Sequence, residues 1–329
     1  MMSMAAVAAL VAPCALAQEV PVLTVYAYDS FVSEWGPGPQ VEAAFEADCA
    51  CDLRLVGAGD GAALLARVQL EGASSEADVV LGLDTGLIAA AHATGLFAPR
   101  GWPVPQLQLP VGFEDEVFVP FDWGYFAFVY DKGRLADPPA SFAALLADED
   151  IRIIIQDPRS STPGLGLLMW VKAVFGDDAA GAWAALAPKV VTVTAGWSEA
   201  YGLFLEGEAD MVLSYTTSPA YHVIAEGDGS KAAAIFDEGH YVQLEVAGML
   251  AGSDQPELAG RFLDFLLGAA VQGAIPTTNW MYPVRMPEGG LPEGYAGLAK
   301  PGKALLFGPA EAEALRRPAL DEWLAAFAR

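Results

Sequence analysis

One pattern occurs three times in the second half of this chain: a short apolar run, a polar turn, then a helical run. In residues 151–170 (IRIIIQDPRSSTPGLGLLMW), Ile153, Ile154 and Ile155 suit a buried strand, 156–163 a hydroxyl-rich turn, and Gly164 opens a helix over 165–175. Residues 190–194 (VVTVT), 195–198 (AGWS) and 199–205 repeat it, as do 211–214 (MVLS), 215–219 (YTTSP) and 220–225. A strand that ends in a loop at a helix start leaves backbone N–H groups without helical partners, which suits an anion or a polar ligand. If the three strands are parallel, their carboxyl ends share one sheet edge, where open α/β sheets bind ligands. The pattern thus restricts the chain to an α/β fold with a ligand crevice.

The first half follows the same grammar. Residues 22–28 (VLTVYAY) alternate as a strand, with Leu23, Val25 and Ala27 on one face and Thr24, Tyr26 and Tyr28 on the other. A rigid turn over 35–39 (WGPGP) leads to a helix at 41–48. A strand at 52–56, a small-residue loop at 57–61 and a helix at 62–71 follow, then a buried strand at 77–83 and a helix at 87–94 with Gly95 as its stop. Residues 117–130 read as a long strand, 141–147 as a helix, 239–248 as a returning strand and 255–267 as an amphipathic helix. Residues 273–283 read as irregular, and 309–328 as one terminal helix or a pair. The two extended segments bracket an insertion, so lobe 1 is expected at 18–130 plus 246–329 and lobe 2 at 131–245.

Composition narrows the function. At 329 residues and 54% hydrophobic content the chain can bury about two cores. A net charge of −25 argues against a nucleic-acid partner; it fits a cationic ligand through long-range attraction, and also fits plain solubility. Residues 1–17 read as a signal peptide, with an apolar core at 5–12 and Ala15-Leu16-Ala17 as the small-residue cleavage pattern, although no Lys or Arg precedes Arg54. Cleavage leaves Cys49 and Cys51, whose Cys-x-Cys spacing closes a very small ring if bridged and is too few ligands for structural zinc.

Several segments resemble the thiamine-binding periplasmic proteins of bacterial ABC transporters: 26–31 (YAYDSF), 35–39 (WGPGP), Asp60-Gly61, 77–84 (ADVVLGLD), 156–159 (QDPR), 161–167 (STPGLGL), 196–204 (GWSEAYGLF), 213–222 (LSYTTSPAYH) and 279–283 (NWMYP). The resemblance covers nearly the whole chain after residue 17. It implies a type II periplasmic binding protein fold, in which two α/β lobes joined by a two-strand hinge hold a ligand in the cleft between them. It also implies capture of thiamine, with its mono- and diphosphate, and delivery to a membrane permease, without catalysis and without a cofactor. A monomer is expected. Carried over residue by residue, the ligand contacts are Asp60, Gly61, Ser161, Thr162, Trp197, Tyr215, Thr216, Thr217 and Ser218, with Tyr28, Trp35, Tyr221 and Trp280 as walls.

Read as chemistry, these residues suit a flat cation. Aromatic faces attract a positive ring, and hydroxyls serve a pyrimidine edge or a phosphate. Each has a plainer role: the aromatic residues can fill a core, and Asp60, Ser161 and Thr162 can simply cap helices. Asp29, Asp84 and Asp122 read as solvated surface carboxylates in preference to sources of negative potential at the site, and Arg159 as either a phosphate contact or a surface ion pair. Two rivals remain. Gly196-Trp197-Ser198-Glu199-Ala200 resembles a nucleophile elbow without its last glycine, so a serine hydrolase using Ser198 is the enzyme alternative. A sibling receptor for ferric iron, a polyamine or another heterocycle is the binding alternative, with Tyr215 and Tyr221 as candidate iron ligands.

Overall fold

A computed structural model describes residues 20–328; the expected signal segment, 1–17, lies outside them. The chain opens with β1 (Val22–Ala27), α1 (Asp29–Val32), α2 (Gly38–Cys49), β2 (Asp52–Gly57), α3 (Gly61–Glu71), β3 (Val79–Asp84) and α4 (Ile88–Thr94). After β4 (Val119–Asp131) come α5 (Phe142–Ala147), β5 (Ile153–Gln156), α6 (Thr162–Phe175), α7 (Ala179–Leu186), β6 (Val190–Thr194), α8 (Trp197–Glu206), β7 (Met211–Tyr215), α9 (Pro219–Tyr221), β8 (Lys231–Ala233) and β9 (His240–Met249). The last elements are α10 (Pro256–Leu266), α11 (Ala269–Thr278), β10 (Tyr282–Pro283), β11 (Ala304–Leu305) and α12 (Pro309–Phe327).

The strands pair in the order β2-β1-β3-β9-β4-β7-β5-β6. β1 is parallel to β2 and β3, and β5 is parallel to β6 and β7. The three strands of the recurring pattern therefore do share one edge. Between these parallel groups lies an antiparallel pair, β4 and β9, in register from Val119↔Ala247 to Tyr125↔Val242. From Phe126 onward β4 changes partner and pairs with β7.

Parallel strands are covered on both faces, and the alternation in β1 shows how. Leu23, Val25 and Ala27 join one buried cluster with Phe31, Phe45 and Phe262, while Tyr26 joins another on the opposite face. That same cluster extends to Trp170 of α6, whose ring packs against Phe142 and His240 at 4.7 Å each and whose Nε1 donates to the Gly239 carbonyl at 2.9 Å. Such rings bury roughly 150–250 Å2 each, enough to anchor a helix to a sheet.

One expectation changes, and one open alternative is decided. Residues 269–278 form α11, not irregular chain, although Pro276 lies within the helix. Pro276 forgoes one helical hydrogen bond near the carboxyl end, and burial of Val271, Ala274 and Ile275 offsets that loss. The terminal segment is a single helix despite Pro318. This α12 packs on α6 and α7, within the segment expected as lobe 2, and also on α4 of lobe 1. Its Glu322 pairs with Lys172 of α6 at 2.8 Å. Cys49 and Cys51 are joined by a disulfide at the end of α2.

Candidate functional site

The carboxyl ends of the strands open on a cavity of about 350 Å3, within the range of small-molecule sites. Nine of the residues expected at the site line it. Tyr28, Trp35 and Asp60 come from the first half, and Thr162, Trp197, Tyr215, Ser218 and Tyr221 from the second; Trp280 follows α11.

The aromatic residues are fixed by their local structure. Trp197 is the first residue of α8, so its ring lies over Tyr201 one turn later, stacked at 5.1 Å. Its Nε1 donates to Ser214 Oγ at 2.8 Å, and Ser214 in turn bonds Ser218 Oγ at 2.7 Å. The half-exposed ring of Trp35 leans toward Trp197 at 6.3 Å. Tyr221 and Trp280 meet edge to face at 5.3 Å. Trp280 holds φ at +58°, a left-handed conformation that a bulky side chain adopts at a cost.

Asp60 occupies the N-cap position of α3, yet its side chain does not cap that helix. Its Oδ2 instead accepts from Ser161 Oγ at 2.8 Å and from the backbone N–H of Trp197 at 3.3 Å. Burial raises its pKa to about 6, against the pull of these two bonds. The simple capping role is therefore replaced by a contact joining the starts of α3, α6 and α8.

The structure does not bring Gly61, Ser161, Thr216 and Thr217 to the cavity wall. Gly61 donates its N–H to Thr162 Oγ1 at 3.2 Å, and a Cβ at this position would stand 2.6 Å from that oxygen. Ser161 is spent on Asp60. Thr216 and Thr217 are buried behind the turn, where the Thr216 N–H bonds the Tyr125 carbonyl at 2.9 Å and Thr217 faces the sulfur of Met281. Arg159 forms an ion pair with Asp157 and does not line the cavity.

Sequence reasoning missed Tyr201, Glu245, Asn279 and Met281, all of which line the cavity. The signal for Glu245 was present: an acid between Leu244 and Val246 on a strand with every residue buried needs a reason to be there. The surface reading of Asp84 and Asp122 is corrected, since both are buried, Asp122 completely. Burial raises Asp84 to about 6.

Among the described residues, Asp60 and Glu245 are the only ionisable acids or bases of the Asp, Glu, Lys and Arg types that line the cavity. Such a chamber, aromatic and acidic, suits a flat cation. The hydrolase arrangement is absent among the described residues. Ser198 lines the cavity, but His222 is held between Tyr201 at 2.9 Å and Glu226 at 2.7 Å, His92 bonds Asp115, and His240 bonds Phe126 and Phe236.

Comparison with known proteins agrees with this geometry. Residues 37–277 match the family model for bacterial extracellular solute-binding proteins. The chain is 57% identical over 310 residues to a thiamine-binding periplasmic protein of Escherichia coli (strain K12), covering 94% of each. It is 50% identical over 319 residues to a protein of that name from Brucella melitensis biotype 1, covering 97% of this chain and 95% of the relative. A solved periplasmic thiamin binding protein superposes with a TM-score of 0.92 at 57% identity, covering 94% of this chain and 97% of that one.

Proposed function

Because the chain belongs to the bacterial extracellular solute-binding proteins, and among them to the thiamine-binding periplasmic proteins, we propose that it captures thiamine in the cleft between two lobes. It is a periplasmic transport protein of the two-lobed type and not an enzyme. The observation that carries the ligand reading is the makeup of the cavity: six aromatic residues (Tyr28, Trp35, Trp197, Tyr201, Tyr215 and Tyr221) with Trp280 beside them, two carboxylates, and no lining Lys or Arg. Thiamine is a flat aminopyrimidine joined to a permanently cationic thiazolium. Rings supply faces for both heterocycles, at roughly 0.5–1.5 kcal/mol per aromatic contact beyond burial. The hydroxyls of Thr162, Ser198 and Ser218, near the starts of α6, α8 and α9, are the donors for a phosphate in the mono- and diphosphate forms.

Of the expected contacts, Asp60, Thr162, Trp197, Tyr215, Ser218, Tyr28, Trp35, Tyr221 and Trp280 touch the ligand directly in this reading. Gly61, Ser161, Thr216 and Thr217 hold the loops that present them. The lobes, 18–130 with 246–329 and 131–245, close about the β4–β9 pair. Closure then offers a composite surface to a membrane permease, and the permease responds to the state that the ligand favours. The receptor works as a monomer.

A ferric receptor is the weaker reading. Iron sites of this kind require tyrosinate oxygens, whereas Tyr215 and Tyr221 share the cavity wall with Trp35, Trp197 and Trp280, whose faces serve a flat organic ligand and offer nothing to a hard ion. The reading is tested by calorimetric titration of ligand-stripped protein with thiamine and with thiamine diphosphate. One-to-one binding is expected for thiamine. A folded protein that gives no heat and no change in tryptophan fluorescence would remove thiamine as the ligand.

A further inference from the structure

We propose that Glu245 is the counterion that selects a cationic solute, and that capture of the cation drives a proton off the Asp122–Glu245 pair into the solvent. The inference rests on the ligand reading above, since it requires a positively charged solute.

The pairing of three strands creates the arrangement. Asp122 of β4 is the register partner of Glu245 of β9, and Asp84 of β3 is its partner on the other side. Three carboxyl groups thus stand in one row across the middle of the sheet, all of them buried. Only Glu245 among them lines the cavity.

The groups around the pair are neutral donors. Tyr28 Oη donates to Glu245 Oε2 at 2.9 Å, and Gln243 Nε2 donates to Oε1 at 2.7 Å. Asn279, at the end of α11, donates to Asp122 Oδ2 at 2.5 Å and reaches Glu245 Oε2 at 3.5 Å. Asp122 Oδ1 has no hydrogen-bond partner. The titratable groups facing the pair are Tyr28 at the end of β1, Asp84 on β3, Tyr215 on β7 and Tyr295, and Asp60 shares the cavity with Glu245. None is a cation; Arg316 of α12 acts on Asp84.

Two carboxyl groups in register, desolvated and without a basic neighbour, cannot both ionise. Burial and the Glu245 charge hold Asp122 well above the carboxylate range, and burial brings Glu245 to about 7. Asp122 therefore keeps its proton, and Glu245 is the group that changes state. A cation entering the aromatic chamber supplies the missing positive charge. The Glu245 O–H bond then breaks with its electron pair left on the carboxylate, and the proton passes to the buffer. A neutral solute of the same shape gains nothing from this step, so the pair discriminates by charge as the rings do by shape.

The test is calorimetric titration with thiamine from pH 6 to 8, in buffers of different ionisation enthalpy. Release from Glu245 is expected to be about half a proton per ligand at pH 7 and to vanish near pH 8, with Asp60 adding to it only toward pH 6. The dissociation constant should rise about fivefold from pH 7 to pH 6. Glu245→Gln should bind at least tenfold more weakly at pH 8 and lose the proton release centred near pH 7, keeping only what Asp60 gives up toward pH 6. Asp122→Asn removes the O–H that favours the Glu245 carboxylate, so it should move the release to higher pH, and it checks the coupling if Glu245→Gln folds poorly. Wild-type binding without proton exchange, or an unchanged pH slope in folded Glu245→Gln, overturns the inference and leaves the ligand reading standing. Folded wild-type protein that does not bind thiamine at any pH overturns both.

Discussion

Ser161 Oγ donates to Asp60 Oδ2 at 2.8 Å, joining residues 101 positions apart behind the cavity wall. Because the same oxygen accepts the Trp197 N–H, a single carboxylate gathers the starts of three helices, α3, α6 and α8. Removing the hydroxyl in Ser161→Ala should cost on the order of 1 kcal/mol in thermal or urea unfolding, and should weaken ligand binding without touching the ligand. Loss of affinity with unchanged stability would instead place Ser161 at the ligand.

The Asp60 carboxyl has a sign that can be checked. Its folded pKa, about 6, lies above the ordinary 3.8. The protonated form therefore stabilises the fold below 3.8, and that contribution is lost as pH rises through 6. Asp60→Asn cannot ionise, so relative to wild type it should gain stability from pH 4 to pH 7, on the order of 2 kcal/mol. Urea midpoints at the two pH values measure this. A constant difference between the two proteins would mean that Asp60 is not desolvated in solution.

Trp197 and Ser198 are neighbours with unequal expected roles. The Trp197 ring is locked by Tyr201 and Ser214 and forms part of the wall. Trp197→Ala should weaken thiamine binding tenfold or more, consistent with loss of a ring contact and its burial. Ser198→Ala should stay within a few-fold for free thiamine. Equal losses in the two variants would sink the assignment of Trp197 as a wall.

At Trp280 the backbone rather than the ring gives the sharper prediction. Both Trp280→Ala and Trp280→Gly delete the ring that meets Tyr221, and both should bind thiamine poorly. Only glycine accepts φ near +58° without strain. Trp280→Gly should therefore be the more stable of the two by about 1 kcal/mol, reversing the usual penalty for glycine. Denaturant titration decides it.

His240 predicts acid sensitivity away from the cavity. Its Nδ1–H donates to the Phe126 carbonyl at 2.6 Å, and its Nε2 accepts the Phe236 N–H at 2.8 Å, which fixes the ring as neutral. Burial lowers its pKa to about 4. A lowered folded value gives stability that is present above 6.5 and lost as pH falls toward 4. Between pH 7 and pH 5 the advantage of wild type over His240→Gln should shrink by about 2 kcal/mol. An unchanged advantage would show that the ring is already charged.

Most of the scaffold could be read from periodicity, because its strands are short apolar runs punctuated by hydroxyl and glycine turns. The helix α11 could not: Gly273, Pro276 and two threonines are punctuation marks, and only tertiary burial of Val271 and Ile275 overrides them. The aromatic wall was legible because Trp197, Tyr215 and Trp280 stand where strands and helices begin or end. Glu245 and Asp122 were not read as a pair, since nothing local reveals that β4 and β9 set them opposite each other. Thr216 and Thr217 misled for the opposite reason. A run of hydroxyls in a turn looks accessible, but the turn after β7 points two of them inward.

The change of partner in β4 has one more consequence. Residues up to Tyr125 pair with β9, and those from Phe126 pair with β7. A single uninterrupted strand is therefore common property of both halves of the sheet, and neither half can melt without fraying the other's edge. Fragments cut at residue 130 should not fold side by side as independent halves. The slowest amide exchange in the molecule should be found along β4, where opening requires both neighbours to be given up together.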